Sequence, residues 1–158
     1  ELFHKFVADR DSEANRFQEP IDGGQFLNQL LYEECSELEE DGFLIGDIPM
    51  FGSGCFCRLH IGDIRRAFDN IFSNLRKYAD PNYPINITMM DKQGEIYVAI
   101  ENRKRKCSAD IASHKIGLMT VKTLMEWNGG SMDIKQTAIN FSIGISLPKT
   151  EPSEKVKP

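Results

Sequence analysis

The sequence predicts an α/β (α+β) protein, a two-layer sandwich in which a mixed, mostly antiparallel sheet carries helices on one face. Three stretches repeat apolar residues at spacings of three and four positions, which is the period of an amphipathic helix. Other stretches alternate apolar and polar residues and occur in pairs around turn residues, which is typical of hairpins. Hairpins pair antiparallel, and helices with one apolar side can cover one face of the resulting sheet.

Length and composition indicate one globular, soluble domain. The chain has 158 residues, of which 41% are hydrophobic and 27% are charged, and this length suits a single domain with a real core. The net charge of −5 argues against a nucleic-acid surface, which usually needs a basic patch. The sequence shows no apolar run that could span a membrane and no signal peptide. Because it begins at Glu1 without Met, we expect it to be part of a longer protein.

The first elements in chain order are a leading segment and a helix. Residues 1–20 are charged, with only a weak apolar stripe, and Pro20, Gly23 and Gly24 are expected to end this segment. The next segment, residues 26–39, repeats its apolar residues at helical spacing, and Gly42 follows as a plausible C-cap. The apolar stripe of this helix is formed by Leu27, Leu30, Leu31, Cys35 and Leu38.

Residues 43–48 and 55–59 are predicted to form a hairpin around Pro49, Gly52 and Gly54. Cys55 and Cys57 would then point to one face of a strand and act as small hydrophobic residues. A structural zinc site usually takes its four ligands from C-x₂₋₄-C pairs. The C-x-C spacing therefore favours core packing over a metal site, and unpaired thiols suit a cytoplasmic domain.

The helix from residue 61 to about residue 79 carries the most informative polar pattern. Asn70, Asn74 and Lys77 lie one turn apart, roughly opposite the apolar side of the helix. Asn is a mediocre helix former because its amide competes for backbone hydrogen bonds. The polar stripe is thus either kept for contacts or a solvated face that tolerates Asn. The apolar side comprises Ile61, Ile64, Phe68, Ile71, Phe72 and Leu75.

The second half of the chain is predicted to alternate hairpins with one further helix. Asp91-Lys92-Gln93-Gly94 is a hairpin turn signature, Gly129 and Gly130 close the helix, and residues 149–158 are predicted to be a disordered tail. The predicted elements are a hairpin of residues 85–90 and 95–101, a helix of residues 116–127, and a hairpin of residues 131–136 and 139–147.

The Asn-bearing helix resembles the N box of the ATP-binding catalytic domain of sensor histidine kinases, which has the Bergerat-type fold shared with gyrase-type and MutL-type ATPases. The family motif reads approximately N-x-x-x-N-A-x-K-Y, and Asn70, Asn74, Lys77 and Tyr78 occupy the matching positions, with Leu75 in place of Ala. By this resemblance, Asn70 and Asn74 face the ATP phosphates and Asn74 also holds Mg²⁺, which prefers oxygen ligands. Lys77 would reach the phosphates, and Tyr78 would pack near the adenine or the ribose.

A second motif of the family, D-x-G-x-G, follows a central strand. The resemblance puts Asn102 at the Asp position, which accepts a hydrogen bond from the adenine amino group, and Lys104 and Lys106 at the two Gly positions. Asn keeps a carbonyl acceptor but loses the charge that would strengthen the hydrogen bond. Gly at these two positions would let the backbone approach the ligand closely, and Lys does not allow this approach.

A third family motif, G-x-G-L-G-L, opens the helix after the ATP lid and binds phosphates through backbone N–H groups. Residues 113–118 occupy this place, and only the final Gly-Leu pair survives, so the implied nucleotide-binding positions are Lys115, Gly117 and Leu118. The lid is shortened to about residues 103–115. Its cationic residues could attract phosphate or form a solvated basic loop; they are Lys104, Arg105, Lys106 and Lys115.

The resemblance covers residues 21–148 and implies a histidine protein kinase. Such a domain transfers the γ-phosphoryl group of ATP to a His of an upstream dimerisation domain, for relay to a response regulator. Residues 1–20 would be the linker from that dimerisation domain, and no catalytic residue is expected in this chain because the phosphoacceptor His lies upstream. The full-length protein would be a membrane-bound bacterial homodimer, with this domain in the cytoplasm and no nucleic-acid partner.

The eroded glycine motifs leave other functions open. One is a degenerate, non-catalytic module of the same descent that docks to its own helical stalk or to a regulator. Another is a nucleotide-independent scaffold in which the N box is fortuitous.

Overall fold

Three helices and a four-stranded antiparallel sheet form the two layers of the molecule. A computed structural model describes residues 19–105 and 111–152, and for residues 111–116 it describes the backbone only. The elements are β1 (Ile21–Asp22), α1 (Gly23–Glu40), β2 (Phe56–Cys57), α2 (Ile61–Tyr78), β3 (Asn86–Lys92), β4 (Glu95–Arg103), α3 (Ile111–Trp127), β5 (Ser131–Gln136) and β6 (Asn140–Pro148).

The sheet has the strand order β3-β4-β6-β5, and each neighbouring pair is antiparallel. Strands β4 and β6 form its centre, with Val98 opposite Ile145 in the register. Alternate residues are buried against the helices, whereas Thr88 and Glu101, on the other face, are exposed. The buried face is formed by Ile87, Ile96, Val98, Ile100, Ile143, Ile145 and Leu147. The predicted two-layer architecture with helices on one face is therefore confirmed.

A buried polar network joins the start of α2 to the end of α3. The His60 backbone N–H donates to Asn128 Oδ1 at 2.8 Å, and Asn128 Nδ2 donates to Asp63 Oδ2 at 3.1 Å. His60 is also the N-cap of α2, because its Nδ1 accepts from the Asp63 backbone N–H. These bonds satisfy orphan N–H groups of the helix start, so the network fixes α2 relative to α3.

The predicted hairpin of residues 43–48 and 55–59 is wrong. Ile45 instead forms an isolated parallel bridge with Ile85, and β2 pairs with Ile21–Asp22. The intervening loop folds back on α1, since the Asn28 amide bonds both the N–H and the C=O of Phe51, each at 2.9 Å. Residues 56–57 do form a strand, but residues 43–48 contribute only this single bridge, and the sequence pattern does not specify the partner of either segment.

Helix α1 begins at Gly23, so Gly23 and Gly24 start a helix rather than end the segment before it. Asp22 is the N-cap, and its Oδ1 accepts from the Gln25 backbone N–H at 3.1 Å. A Cβ on Gly23 would lie 2.8 Å from Cys57 Sγ. These two glycines therefore serve close packing against the loop and β2.

Two residues of the predicted tail make contacts with the domain. The Lys149 N–H donates to Gly94 O at 2.9 Å, and the Thr150 N–H donates to Phe56 O at 2.7 Å. Residues 1–18 and 153–158, for which the sequence predicts a linker and disorder, lie outside the described residues. Of the helices in the described ranges, none combines the length and the apolar character needed to cross a membrane.

Candidate functional site

The polar stripe of α2 lies opposite the side that packs into the core. Asn70 and Asn74 are half-buried and Lys77 is exposed, whereas Ile64 and Phe68 on the other side are fully buried. The half-buried state of the two Asn residues shows that the stripe is not a fully solvated face. Part of it is covered by a neighbouring element.

That neighbour is α3, which meets α2 at Gly117. A Cβ on Gly117 would lie 3.3 Å from Asn74 Oδ1 and 3.4 Å from Asn74 Nδ2, so only a residue without a side chain leaves the amide undisturbed. Asn74 Nδ2 is buried and has no hydrogen-bond partner within the described residues. An unsatisfied buried N–H group costs about 1–3 kcal/mol, and such groups in native structures often mark functional sites.

Asn102 lies at the end of β4, on the face that packs against the helices, with 5% of its surface exposed. Its Nδ2 donates to Arg103 O at 2.9 Å. No described residue donates to its Oδ1, so a carbonyl acceptor remains for a ligand amino group. The adjoining backbone bonds to the C-terminal end of α2, since the Asp80 N–H donates to Arg103 O at 2.8 Å.

Lys104 is half-buried and Arg105 is exposed, and both side chains hydrogen-bond to groups of the domain itself. Lys104 Nζ donates to Gln136 Oε1 and Thr137 O, both at 2.8 Å, in the turn between β5 and β6. Arg105 Nε donates to Ala79 O at 2.8 Å, just beyond the end of α2. The two cations are therefore engaged by carbonyl groups of the domain itself. Lys106 lies outside the described residues.

Helix α3 begins at Ile111, so its predicted start near Ile116 is wrong. Residues 115–118 consequently lie in the helix interior, where backbone N–H groups bond to carbonyls one turn back. Non-Gly residues at positions 113 and 115 favour this extension, because Gly is a poor helix former. Leu118 is 7% exposed and belongs to the core, so Gly117 is the member of this motif that meets α2.

Comparison with known proteins shows what this chain is similar to. No protein-family profile matches the chain. Over 127 residues it is 24% identical to the sensor histidine kinase YrkQ of Bacillus subtilis (strain 168), an alignment covering 78% of this chain and 28% of that protein. The resemblance to sensor histidine kinases is confirmed.

Two solved structures share the fold of this histidine-kinase-type domain. Acinetobacter baumannii histidine kinase AdeS has a TM-score of 0.64 and 12% identity, covering 95% of this chain and 79% of that chain. The mycobacterial sensor histidine kinase MprB has a TM-score of 0.60 and 16% identity, covering 85% of this chain and 100% of that chain. These structural similarities establish the fold of the domain. Its chemistry has to be inferred from its own residues.

Within the histidine-kinase-type domain, the structure brings some of the predicted site residues together. Asn74 meets Gly117, and the Tyr78 carbonyl accepts from the Arg105 N–H at 2.9 Å beside the end of β4, near Asn102. The side chains of Asn70 and Lys77 make no hydrogen bond or ion pair with the rest of the described chain. The side chain of Lys115 lies outside the described residues.

A buried carboxyl group between α1 and α2 was missed by sequence reasoning. Glu34 of α1 is 6% exposed, and burial raises its pKa to about 8, helped by a hydrogen bond to Asp69 of α2 and by the charges of Asp69 and Glu37. Its Oε2 has no hydrogen-bond partner in the described chain. The sequence did contain a signal, because Glu34 follows Leu30 by four residues and precedes Leu38 by four, on the apolar stripe of α1.

Proposed function

We propose that this chain is the ATP-binding catalytic domain of a two-component sensor histidine kinase. It would transfer the γ-phosphoryl group of ATP to a His of an upstream domain, for relay to a response regulator. The observation that supports this most is the buried Nδ2 of Asn74, which has no hydrogen-bond partner among the described residues and lies against Gly117.

The side chains of the proposed site have the chemistry that Mg-ATP needs. When bound, ATP supplies the phosphoryl group and Mg²⁺ offsets phosphate charge. The amide oxygens of Asn70 and Asn74 are suitable ligands for Mg²⁺, with Asn74 as the metal-binding residue. Lys77 would neutralise phosphate charge, and Asn102 Oδ1 would accept a hydrogen bond from the adenine amino group.

The surroundings of the site lead us to expect weak binding. Lys104 and Arg105 are held by carbonyl groups, and the N–H groups of residues 117 and 118 are inside α3. Lys77 is therefore the cation of the described residues that we assign to the phosphates. We expect a dissociation constant on the order of 1 mM, which corresponds to about 4 kcal/mol.

Titration with Mg-ATP tests this proposal. Calorimetry and thermal shift at millimolar nucleotide should show binding to the wild-type domain and at least about tenfold weaker binding to Asn74→Ala, a loss of roughly 1.4 kcal/mol. Asn82→Ala, at an exposed position in the loop after α2, is the control and should bind as the wild type does. Absence of binding to the wild type would contradict the proposal.

We extend the proposal to the context of the domain. Its partners would be the His-bearing dimerisation domain upstream and a response regulator, and the full-length protein would be a membrane-bound bacterial homodimer with this domain in the cytoplasm. The similarity to a protein described as a sensor histidine kinase supports this context.

A second candidate function is a non-catalytic module that acts by docking to a protein partner. The observations that favour it are the engaged side chains of Lys104 and Arg105 and the start of α3 at Ile111. Together they remove most of the phosphate-binding groups that the family resemblance would place around the nucleotide.

A further inference from the structure

The last turn of α2 is fastened to the chain that follows β4 by a continuous set of hydrogen bonds. Residues 78–80 and 103–105, here called the α2–β4 seam, run antiparallel, with a bridge between Ala79 and Lys104. The Asp80 N–H donates to Arg103 O at 2.8 Å, and the Arg105 N–H donates to Tyr78 O at 2.9 Å. The seam thus joins the end of the N-box helix to the first residues after the central strand.

Arg105 is the residue of this seam with the most contacts to α2. Besides its backbone bond to Tyr78, its Nε donates to Ala79 O at 2.8 Å and its Nη2 donates to Arg76 O at 3.2 Å. The last carbonyl groups of a helix have no partners within the helix, and a cation at this end also complements the helix dipole. One residue therefore bonds three carbonyl groups around the helix end, those of Arg76, Tyr78 and Ala79.

The residues held in this way include two that the proposed function needs. Lys77 lies between the bonded carbonyls of Arg76 and Tyr78, so the backbone that carries the Lys77 and Tyr78 side chains is fixed by Arg105. We propose that Arg105 is a positioning residue, which holds the last turn of α2 so that Lys77 and Tyr78 face a nucleoside triphosphate. This inference rests on the proposed function and adds a residue to its site.

A direct contact between Arg105 and phosphate is the competing role. Two nitrogens of its guanidinium group face carbonyl oxygens of α2, and this forked geometry is one that Lys cannot reproduce. A phosphate-binding role would need only the positive charge, which Lys keeps. The effect of Arg105→Lys on Mg-ATP binding therefore distinguishes a positioning role of Arg105 from direct binding of phosphate by its charge.

The experiment uses the whole chain and the variants Arg105→Gln, Arg105→Lys and Lys104→Gln. Lys104 is the matched control, because it is the adjacent cation and its side chain bonds the β5–β6 turn instead of α2. Two quantities are measured well below the unfolding temperature: amide hydrogen exchange without nucleotide and the dissociation constant for Mg-ATP. The global free energy of unfolding is measured for each variant by urea denaturation.

Both Arg105 variants should increase amide exchange at residues 77–80 by at least about fivefold, because the last turn of α2 opens more often. Both should also weaken Mg-ATP binding by about three- to tenfold, with exchange in the sheet unchanged. Lys104→Gln should stay within about twofold of the wild type in both measurements. Full retention of binding by Arg105→Lys would overturn the proposal in favour of a charge role.

Different results would contradict the proposed function and the positioning role of Arg105. If the wild type binds no Mg-ATP, the proposed function fails, and the exchange measurement still tests whether Arg105 holds the end of α2. If the wild type binds and Arg105→Gln leaves exchange at residues 77–80 unchanged, the positioning role is refuted and the proposed function stands. Equal effects of Arg105→Gln and Lys104→Gln on amide exchange and on Mg-ATP binding would also refute the positioning role of Arg105.

Discussion

A buried amide N–H group with no hydrogen-bond partner among the described residues, such as Asn74 Nδ2, lowers the stability of the domain. Its Nδ2 is shielded from water by α3, and Gly117 leaves just enough space for the amide group. A Ser or Ala at position 117 would improve helix propensity, whereas Gly leaves the amide of Asn74 in its present position. The Gly is thus explained by the needs of Asn74 and not by those of α3.

Gly117→Ala should change the stability of the domain and its affinity for Mg-ATP in opposite directions. The new methyl group would lie 3.3 Å from Asn74 Oδ1, so the amide must move by a few tenths of an ångström. We expect the free energy of unfolding to rise by up to about 1 kcal/mol because of helix propensity. Mg-ATP affinity should fall by about three- to tenfold, as measured by calorimetry.

Gly62→Ala is the comparison for this substitution, because Gly62 lies in the first turn of α2 and its added Cβ would meet His60 instead of Asn74. Affinity that is unaltered in Gly117→Ala would show that the position of the Asn74 amide is unimportant for nucleotide binding.

At the scale of elements, the contact between α1 and α2 includes the buried carboxyl group of Glu34, whose pKa is raised by burial to about 8. Glu34 faces Asp69 and Arg76 of α2, while Glu37 of α1 lies one turn away. The burial of Glu34 outweighs the nearby guanidinium group, so its pKa stands at about 8. The helix that carries the N box therefore rests on an interface whose charge changes near neutral pH.

Glu34→Gln should remove a pH dependence of stability. The folded state holds a proton at Glu34 up to about pH 8, whereas the unfolded chain loses it near the ordinary pKa of 4.5. The contribution of this group to stability is therefore fully present below pH 4.5 and is lost as the pH rises to 8. We expect a slope of about 1 kcal/mol per pH unit in this window for the wild type.

Urea denaturation at several pH values within and beyond this window measures the slope. Gln is uncharged at each pH and can still donate to Asp69, so the variant should show a flatter profile and a higher stability above neutral pH. Glu37→Gln, which changes a carboxylate whose side chain is 67% exposed, should keep the slope. An unchanged slope in Glu34→Gln would assign the pH dependence to other groups.

At the scale of the whole molecule, the two candidate functions differ in what the full-length protein does. A catalytic domain predicts autophosphorylation from labelled ATP, and Asn74→Ala should reduce its rate by at least about tenfold, or roughly 1.4 kcal/mol in the activation free energy. The label should appear on an acid-labile phosphohistidine. Autophosphorylation that depends on Asn74 excludes the docking module, whereas signalling output that is unaffected by Asn74→Ala favours it.

The sequence predicted the parts of the fold that depend on local patterns. Helix α2 and the pairs β3–β4 and β5–β6 were found because their periodicity and turns are encoded within short stretches. The pairing of β2 with Ile21–Asp22 was missed, because it joins segments more than thirty positions apart and no short-range signal specifies such a partner. The polar stripe of α2 was visible from spacing, and its interpretation as an N box came from the resemblance to sensor histidine kinases.

The surroundings of the candidate site were less predictable than its helix. Lys104 and Arg105 have the charge of phosphate ligands, yet the carbonyl groups that engage them belong to Thr137 and Ala79. These partners come close only after the sheet and α2 have packed together. The sequence shows the sign of the charge on a side chain, but the fold determines which acceptor that side chain reaches.

The buried carboxyl group of Glu34 also makes folding a proton-consuming reaction. Between the pKa of the unfolded chain and about pH 8, each molecule that folds takes up as much as one proton from the buffer at this position. The heat of folding measured by calorimetry should then vary with the ionisation enthalpy of the buffer, being different in phosphate and in Tris at one pH. The difference in the number of protons between the wild type and Glu34→Gln would report the ionisation of this single side chain.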